Sequence, residues 1–250
     1  MYFLALGKKQ WALMFVLFYI FSPLCLFALP KNNMALVPSG KLLVTNKYES
    51  KEVKIENFFI DRFEVTQKLY ETIIGINGSF FRGEQRPVEK INWFEAMEYC
   101  RRIGKRLPTE FEWEWAARAR SKSKFYWGEK DPKVYSWFKK NSEKKTHSVG
   151  LKSPNSLGLY DMAGNVWEWC QDKYDYKAYE KEQQKGTTQN PKGPGKYNDP
   201  REPLSLKHVM RGGSFLCNDS YCSGYRVSRR MSSSKDSSFN HTGFRCVKDL

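Results

Sequence analysis

With 250 residues, 40% of them hydrophobic and 16% aromatic, the chain has apolar material for one large domain or two small ones, which excludes disorder throughout. Its net charge of +15 raises nucleic acid as a partner, but no basic module with interleaved stacking aromatics accompanies the lysines. A solvated surface, or attraction to acidic polymers or anionic membrane, is the better reading.

At the N-terminus Lys8 and Lys9 precede an apolar run from Trp11 to Leu29, closed by Pro30 and Lys31. Residues 1–30 therefore have the layout of a signal peptide, and the run is long enough to remain as a membrane anchor through residues 11–29. No small-x-small cleavage site is visible, and Ser22-Pro23-Leu24 is a poor lipid-attachment context for Cys25. Either way the lysines stay inside and the rest is exported to a periplasm, a secretory lumen or the medium, where no nucleic acid is expected. Residues 31–50 read as a linker and 51–250 as the domain.

Lys51–Glu64 mixes alternating and consecutive apolar residues (Val53, Ile55, Phe58, Phe59, Ile60), a strand signal. Thr66 is placed to cap a helix over Gln67–Ile74. Asn92 reads as the next cap, with Trp93, Ala96, Met97, Cys100 and Ile103 at helical spacing and Gly104 as the stop. Thr109 and Glu112 have capping-box spacing for a third helix, Glu110–Ala119. Both of these helices read as scaffold, with Glu110 and Glu114 as structural hydrogen-bonders. Ser121–Val149 is a basic, aromatic-dotted loop region. Gly158–Cys170 comes next, with Asp161, Gly164, Val166 and Glu168 on a tight turn centred on Gly164-Asn165, and Trp167 and Trp169 as core. Gln171–Pro200, rich in Lys, Tyr and Gly, reads as a long surface excursion. Little helical periodicity remains elsewhere, so the fold class is a loop-rich α+β domain.

The segment Arg211-Gly212-Gly213-Ser214-Phe215-Leu216-Cys217-Asn218-Asp219-Ser220-Tyr221-Cys222 carries the chemistry. A glycine pair permits positive φ and a rigid bend that presents the residues beyond it. Thiolates are soft ligands that select Cu(I), zinc or iron–sulfur centres. Only two lie close together and no histidine joins them, which leaves a two-thiolate site or a disulfide rather than a closed zinc site. Spacing alone, in an exported chain, favours the disulfide.

Several motifs nevertheless occur in order: Phe63-Glu64-Val65-Thr66, Arg106-Leu107-Pro108-Thr109-Glu110, Gly158-Leu159-Tyr160-Asp161-Met162, Gly164-Asn165-Val166-Trp167-Glu168-Trp169, the cysteine segment with its tail Tyr225-Arg226-Val227-Ser228-Arg229-Arg230, and Gly243-Phe244-Arg245-Cys246. From about Phe58 to Cys246 the chain resembles the formylglycine-generating enzymes, the sulfatase-modifying oxidases. The resemblance implies a complex C-type-lectin-like fold. It implies oxidation by O2 of a cysteine in a client protein, within a sulfatase-type Cys-x-Pro-x-Arg segment, to formylglycine. Cys217 and Cys222 would hold Cu(I), and Ser214 and Tyr221 would line the pocket. Arg230 matches an arginine of the family's site and Arg226 lies beside it on the substrate side. Arg229 stands where the family usually has a small residue.

The resemblance also implies structural calcium, held by the Asp161 side chain, the Gly164 and Val166 carbonyls and the Glu168 carboxylate. Against it stands the plainer reading that Asp161 and Glu168 satisfy turn amides. A first calcium site, in Ser121–Val149 in many members, is expected to be absent or altered. Cys100 and Cys246 match one family disulfide. The other falls on Ala117 and Val227, so both its halves are missing together, and Cys170 stays an unpaired buried thiol. The family's long insertion after the first helix shrinks to Gly75–Arg86, which bears on substrate recognition. His147, His208 and His241 lack the spacing of the iron-dependent sulfoxide synthase branch. Two alternatives remain: a non-catalytic C-type-lectin-like binding module, and an exported enzyme of the superfamily with another substrate.

Overall fold

The computed structural model describes residues 33–45, 50–185, 188–218 and 225–250. The described residues begin with four strands, β1 (Met34–Val37), β2 (Gly40–Thr45), β3 (Ser50–Ile55) and β4 (Phe58–Asp61). Helices α1 (Gln67–Ile74), α2 (Trp93–Arg102), α3 (Glu110–Arg118) and the one-turn α4 (Pro132–Tyr135) come after them. The second half runs through β5 (Trp167–Lys173), α5 (Ala178–Gln184), β6 (Thr188–Gln189), β7 (Lys207–Arg211), β8 (Met231–Ser234), β9 (Thr242–Gly243) and β10 (Val247–Asp249). The fold is α+β.

Each of the first three helices starts where a side chain can satisfy its open amides. Thr66 accepts from the Leu69 amide, and Gly75 ends α1 with φ of 91°. Asn92 with Glu95, and Thr109 with Glu112, close reciprocal capping boxes at α2 and α3. All three starts agree with the sequence reading. Helix α3 is unusual in burying almost every side chain, including Glu110, Glu112 and Glu114.

The strands form three small sheets, ordered β1-β4-β10, β2-β3-β6 and β8-β7-β5-β9. Met34–Thr45, expected to be linker, instead forms β1 and β2. Ala35 and Val37 turn inward opposite β4, and Leu42 and Val44 do the same opposite β3. Period-two burial across short strands gives a weaker signal than a long helix, and the intervening exposed Leu36 and Leu43 blurred the alternation. Likewise Gln171–Pro200 is not all excursion, since it contains the end of β5, α5 and β6.

The apolar residues form two clusters. One joins the first strands to α3 through Val37, Ile60, Phe111 and Trp113, and the other joins α1 and α2 to Trp169, Phe244 and Cys217. The Cys100–Cys246 disulfide, with Cα atoms 5.8 Å apart, ties α2 to the residue before β10. Among the described residues no helix is long and apolar enough to cross a membrane, and the run from Trp11 to Leu29 lies outside them.

The largest sheet positions the site. Antiparallel pairing sets Glu168 opposite Arg211, and parallel pairing sets Glu168 opposite Gly243. That register brings the Gly164-Asn165 turn, which enters β5, against the Gly212-Gly213 bend, which leaves β7.

Candidate active site

Gly212 and Gly213 both have left-handed φ, 93° and 80°. A Cβ on Gly212 would lie 3.0 Å from the Trp113 ring, so a side chain there would be both strained and crowded. The bend is joined to the neighbouring turn at two points: the Gly164 amide donates to the Gly212 carbonyl and the Phe215 amide to the Asn165 carbonyl, each at 2.9 Å. From the other side the Lys139 amide donates to the Cys217 carbonyl at 2.9 Å, and the Ser142 hydroxyl to the Phe215 carbonyl at 2.8 Å. Phe81 packs edge-on against Phe215, so the shortened segment after α1 reaches the cysteine loop.

Within that clamp Ser214 and Cys217 are buried together. The Cys217 sulfur accepts the Ser214 amide at 3.4 Å and lies 3.9 Å from the Ser214 hydroxyl. Cys217 is disulfide-bonded. Tyr221 and Cys222 lie outside the described residues. For Cys217 the setting fits a soft metal, because amide and hydroxyl donors favour the thiolate that such a metal takes.

Behind the bend lies an ionic network that the sequence reading missed. Fully buried Arg211 pairs with Glu110 and Glu114 and donates to the carbonyls of Val227 and Ser228. Glu114 also receives Arg118 at 2.8 Å and the Tyr179 hydroxyl at 2.6 Å, and these cations hold its carboxyl below the ordinary range despite burial. Arg230 forks onto both oxygens of Glu110, at 2.5 and 2.8 Å, and donates to the Asp175 carbonyl. The structure thus places Arg230 in the scaffold around α3. Arg226 is half-buried with its Nε lacking an acceptor, and Arg229 is exposed on a cleft of about 320 Å³ that Tyr174, Tyr176 and Arg230 also line. Glu110 and Glu114 are structural hydrogen-bonders, as read. Apart from Arg118, one helical turn from Glu114, their partners Tyr179, Arg211 and Arg230 were not legible, because they lie far along the chain.

The turn before β5 was expected to hold calcium, and its donors answer that expectation unevenly. Asp161, at φ 55°, accepts the Gly150 amide through Oδ2 at 2.7 Å, while its buried Oδ1 has no partner. Burial first, then nearby Glu168, pushes its carboxyl up. Glu168, in contrast, takes Arg245 at 2.7 Å on each oxygen and the Trp113 indole at 2.7 Å. Glu64 accepts the Val166 amide and the Asn165 side chain, and burial beside Asp161 and Glu168 holds its carboxyl well above the ordinary range. Of the two carboxylates in the expected set, only Asp161 offers an unclaimed oxygen. Glu168 would have to leave Arg245 and Trp113 to reach a cation, so the set as it stands does not fit calcium.

The cysteines otherwise agree with the expectation. Cys170 is free and buried, its thiol pushed well up by desolvation. Ala117 and Val227, where the second family disulfide would fall, pack in one apolar cluster.

The family model for the sulfatase-modifying factor enzyme 1-like domain matches residues 27–250. The chain belongs to the sulfatase-modifying, or formylglycine-generating enzyme, family. Within that family it is 38% identical over 177 residues to the formylglycine-generating enzyme of Streptomyces coelicolor, covering 65% of this chain and 52% of that protein. It is 35% identical over 189 residues to the mouse formylglycine-generating enzyme, covering 70% and 47%. A differently named relative, chaperone protein LppX of Paenibacillus barcinonensis, is 30% identical over 198 residues, covering 56% and 71%. The chain thus spans about half the length of the formylglycine-generating enzymes it matches. Among solved structures, Treponema denticola variable protein 1 superimposes with a TM-score of 0.74 at 27% identity, covering 87% of this chain and 95% of that one. The family's small curled sheets and long loops are those of the C-type-lectin-like fold.

Proposed function

We propose that this chain is a copper-dependent oxidase that uses O2 to convert a cysteine of an exported client protein, within a sulfatase-type Cys-x-Pro-x-Arg segment, to formylglycine. The observation that carries the reading is the setting of Cys217, a buried sulfur just past a double-glycine bend, facing the Ser214 amide and hydroxyl. Cys217 and Cys222 would hold Cu(I), which when bound supplies the one-electron chemistry with O2 that side chains lack. The protein's own groups hold and orient. The bend and the loop around Lys139–Ser142 keep Cys217 from shifting, which matters because a misplacement of about 1 Å costs roughly a hundredfold in rate. Ser214 and Tyr221 offer hydroxyls to the substrate sulfur or to water.

In balance, the client cysteine loses a Cβ proton, a thiol proton and two electrons to give a C=S group. Hydrolysis of that group leaves the aldehyde and releases sulfide. Reduction of O2 to water takes those two electrons and two more from external thiols. Because Cys217 is disulfide-bonded, a reductant must act before its sulfur can bind metal.

The test is mass spectrometry of a Cys-x-Pro-x-Arg peptide incubated in air with the reduced, Cu(I)-loaded protein. Conversion to the aldehyde that disappears in Cys217→Ser is the expected result. Bound copper without conversion would overturn the client motif. Failure to bind Cu(I) at all would favour the second reading, a binding module that keeps Cys217 oxidised; the disulfide at Cys217 is the observation behind that alternative.

A further inference from the structure

Two segments frame the cysteine loop, and both are basic. In the one after α1, Phe81 meets Phe215 edge-on with ring centroids 5.5 Å apart, and Phe80 meets Phe81 edge-on at 4.9 Å. Buried side chains hold this segment: Gln67 Nε2 donates to the Phe81 carbonyl at 2.7 Å, and the Glu89 carboxylate accepts the Phe81 amide at 2.7 Å. From the other segment, residues 138–149, the Lys139 amide donates to the Cys217 carbonyl and the Ser142 hydroxyl to the Phe215 carbonyl. The two segments are also joined to each other. The Val149 amide donates to the Gln85 carbonyl at 2.9 Å, and Arg86 to the Thr146 hydroxyl at 3.4 Å. These contacts fix the two segments beside one another and against Phe215–Cys217.

Together, residues 79–86 and 138–149 carry Arg82, Arg86, Lys139, Lys140, Lys144 and Lys145 against only Glu84 and Glu143. Both acids are already paired, Glu84 with Lys68 at 3.0 Å and Glu143 with Lys145 at 2.5 Å. Lys139 and Lys144 are exposed and make no ion pair among the described residues. Asp219, the one acid of the cysteine segment itself, lies outside those residues. Burial first, then the charges of Arg86 and Lys145, hold the His147 imidazole below its ordinary value. We propose that this basic rim selects client segments by acidic residues flanking the target cysteine. On the reading that a client cysteine is oxidised at Cys217, the chain on either side of it crosses the rim. Unpaired cations there favour carboxylates and oppose flanks rich in lysine or arginine. Phe80, 65% exposed, and Leu216, 41% exposed, each adjoin one of the packed rings and offer apolar contact beside the charges.

Binding tests this without requiring turnover. The full chain is titrated with fluorescent peptides that share a Ser-x-Pro-x-Arg core, serine replacing the target cysteine, and differ only in glutamate, serine or lysine flanks. Affinity at least about tenfold higher for the glutamate flank than for the lysine flank is expected, narrowing as salt rises from about 0.05 to about 0.5 M. Lys139→Glu with Lys144→Glu should erase that preference. Lys54→Glu with Lys248→Glu, the same charge change on exposed residues of β3 and β10, should leave most of it. Equal affinity for the three peptides would overturn the proposal, and so would equal loss in both double variants, which would reduce the effect to net charge. Displacement of the glutamate-flanked peptide by phosphatidylserine vesicles at lower concentration would also overturn it, by making the rim a membrane contact. Rim-dependent binding without conversion of the matching cysteine peptide by the reduced, Cu(I)-loaded protein would support the rim and sink the oxidase reading.

Discussion

Arg245 uses all five of its N–H groups without reaching water. It forks onto Glu168 and donates to the carbonyls of Asp61, Arg62 and Tyr160. A buried pair so fully satisfied adds little net stability, yet removing one partner would cost about 3–5 kcal/mol through the charge left behind. Asp172 is the opposite case, a buried carboxyl with half of its hydrogen-bonding capacity unmet. Its folded pKa of about 8 lies above the ordinary value, so the unfolded chain releases this proton first as pH rises. The stability associated with the protonated form is fully present below about pH 4 and is lost progressively up to about 8. Asp172→Asn cannot ionise. Its urea midpoint should therefore rise relative to the parent between those limits, and parallel pH profiles would show that the carboxyl titrates normally.

Among the elements, α3 bears most on the site, because its buried glutamates hold the arginines behind the cysteine loop. Its start depends on Thr109, whose hydroxyl accepts the Glu112 amide at 3.2 Å while Glu112 returns the bond at 2.8 Å. Thr109→Ala is expected to lower stability by about 1 kcal/mol. The measurement is a lower urea midpoint at unchanged slope. No loss would mean that Asp172, which accepts the Glu110 amide, holds the helix start unaided. This cap was legible in the sequence, as were those at Thr66 and Asn92, because capping is decided within four residues. Met34–Thr45 was not, because those short strands exist only by pairing with β3 and β4.

For the molecule as a whole, the Cys100–Cys246 bridge closes a loop of 146 residues. In the chain-entropy view, a loop of that length restricts the unfolded state by about 5 kcal/mol. Replacing both cysteines by alanine should lower the melting temperature by many degrees. The Cys217 loop, clamped by separate hydrogen bonds, should keep its structure at low temperature, as read from backbone amide shifts. A small change in melting temperature would mean that the two apolar clusters alone hold α2 against the end of the chain.

The sequence by itself determined what depends on neighbours in the chain. Helix starts and stops, the glycine bend before Ser214, the Gly164-Asn165 turn and the motifs that mark the family are all of this kind, since steric and capping preferences act over a few residues. Only the tertiary structure decided the pairings. Arg245 meets Glu168 across 77 residues and Arg230 meets Glu110 across 120. The physical reason is desolvation: a buried charge must find a partner wherever sheet packing brings one, and sheet packing is a property of the whole fold.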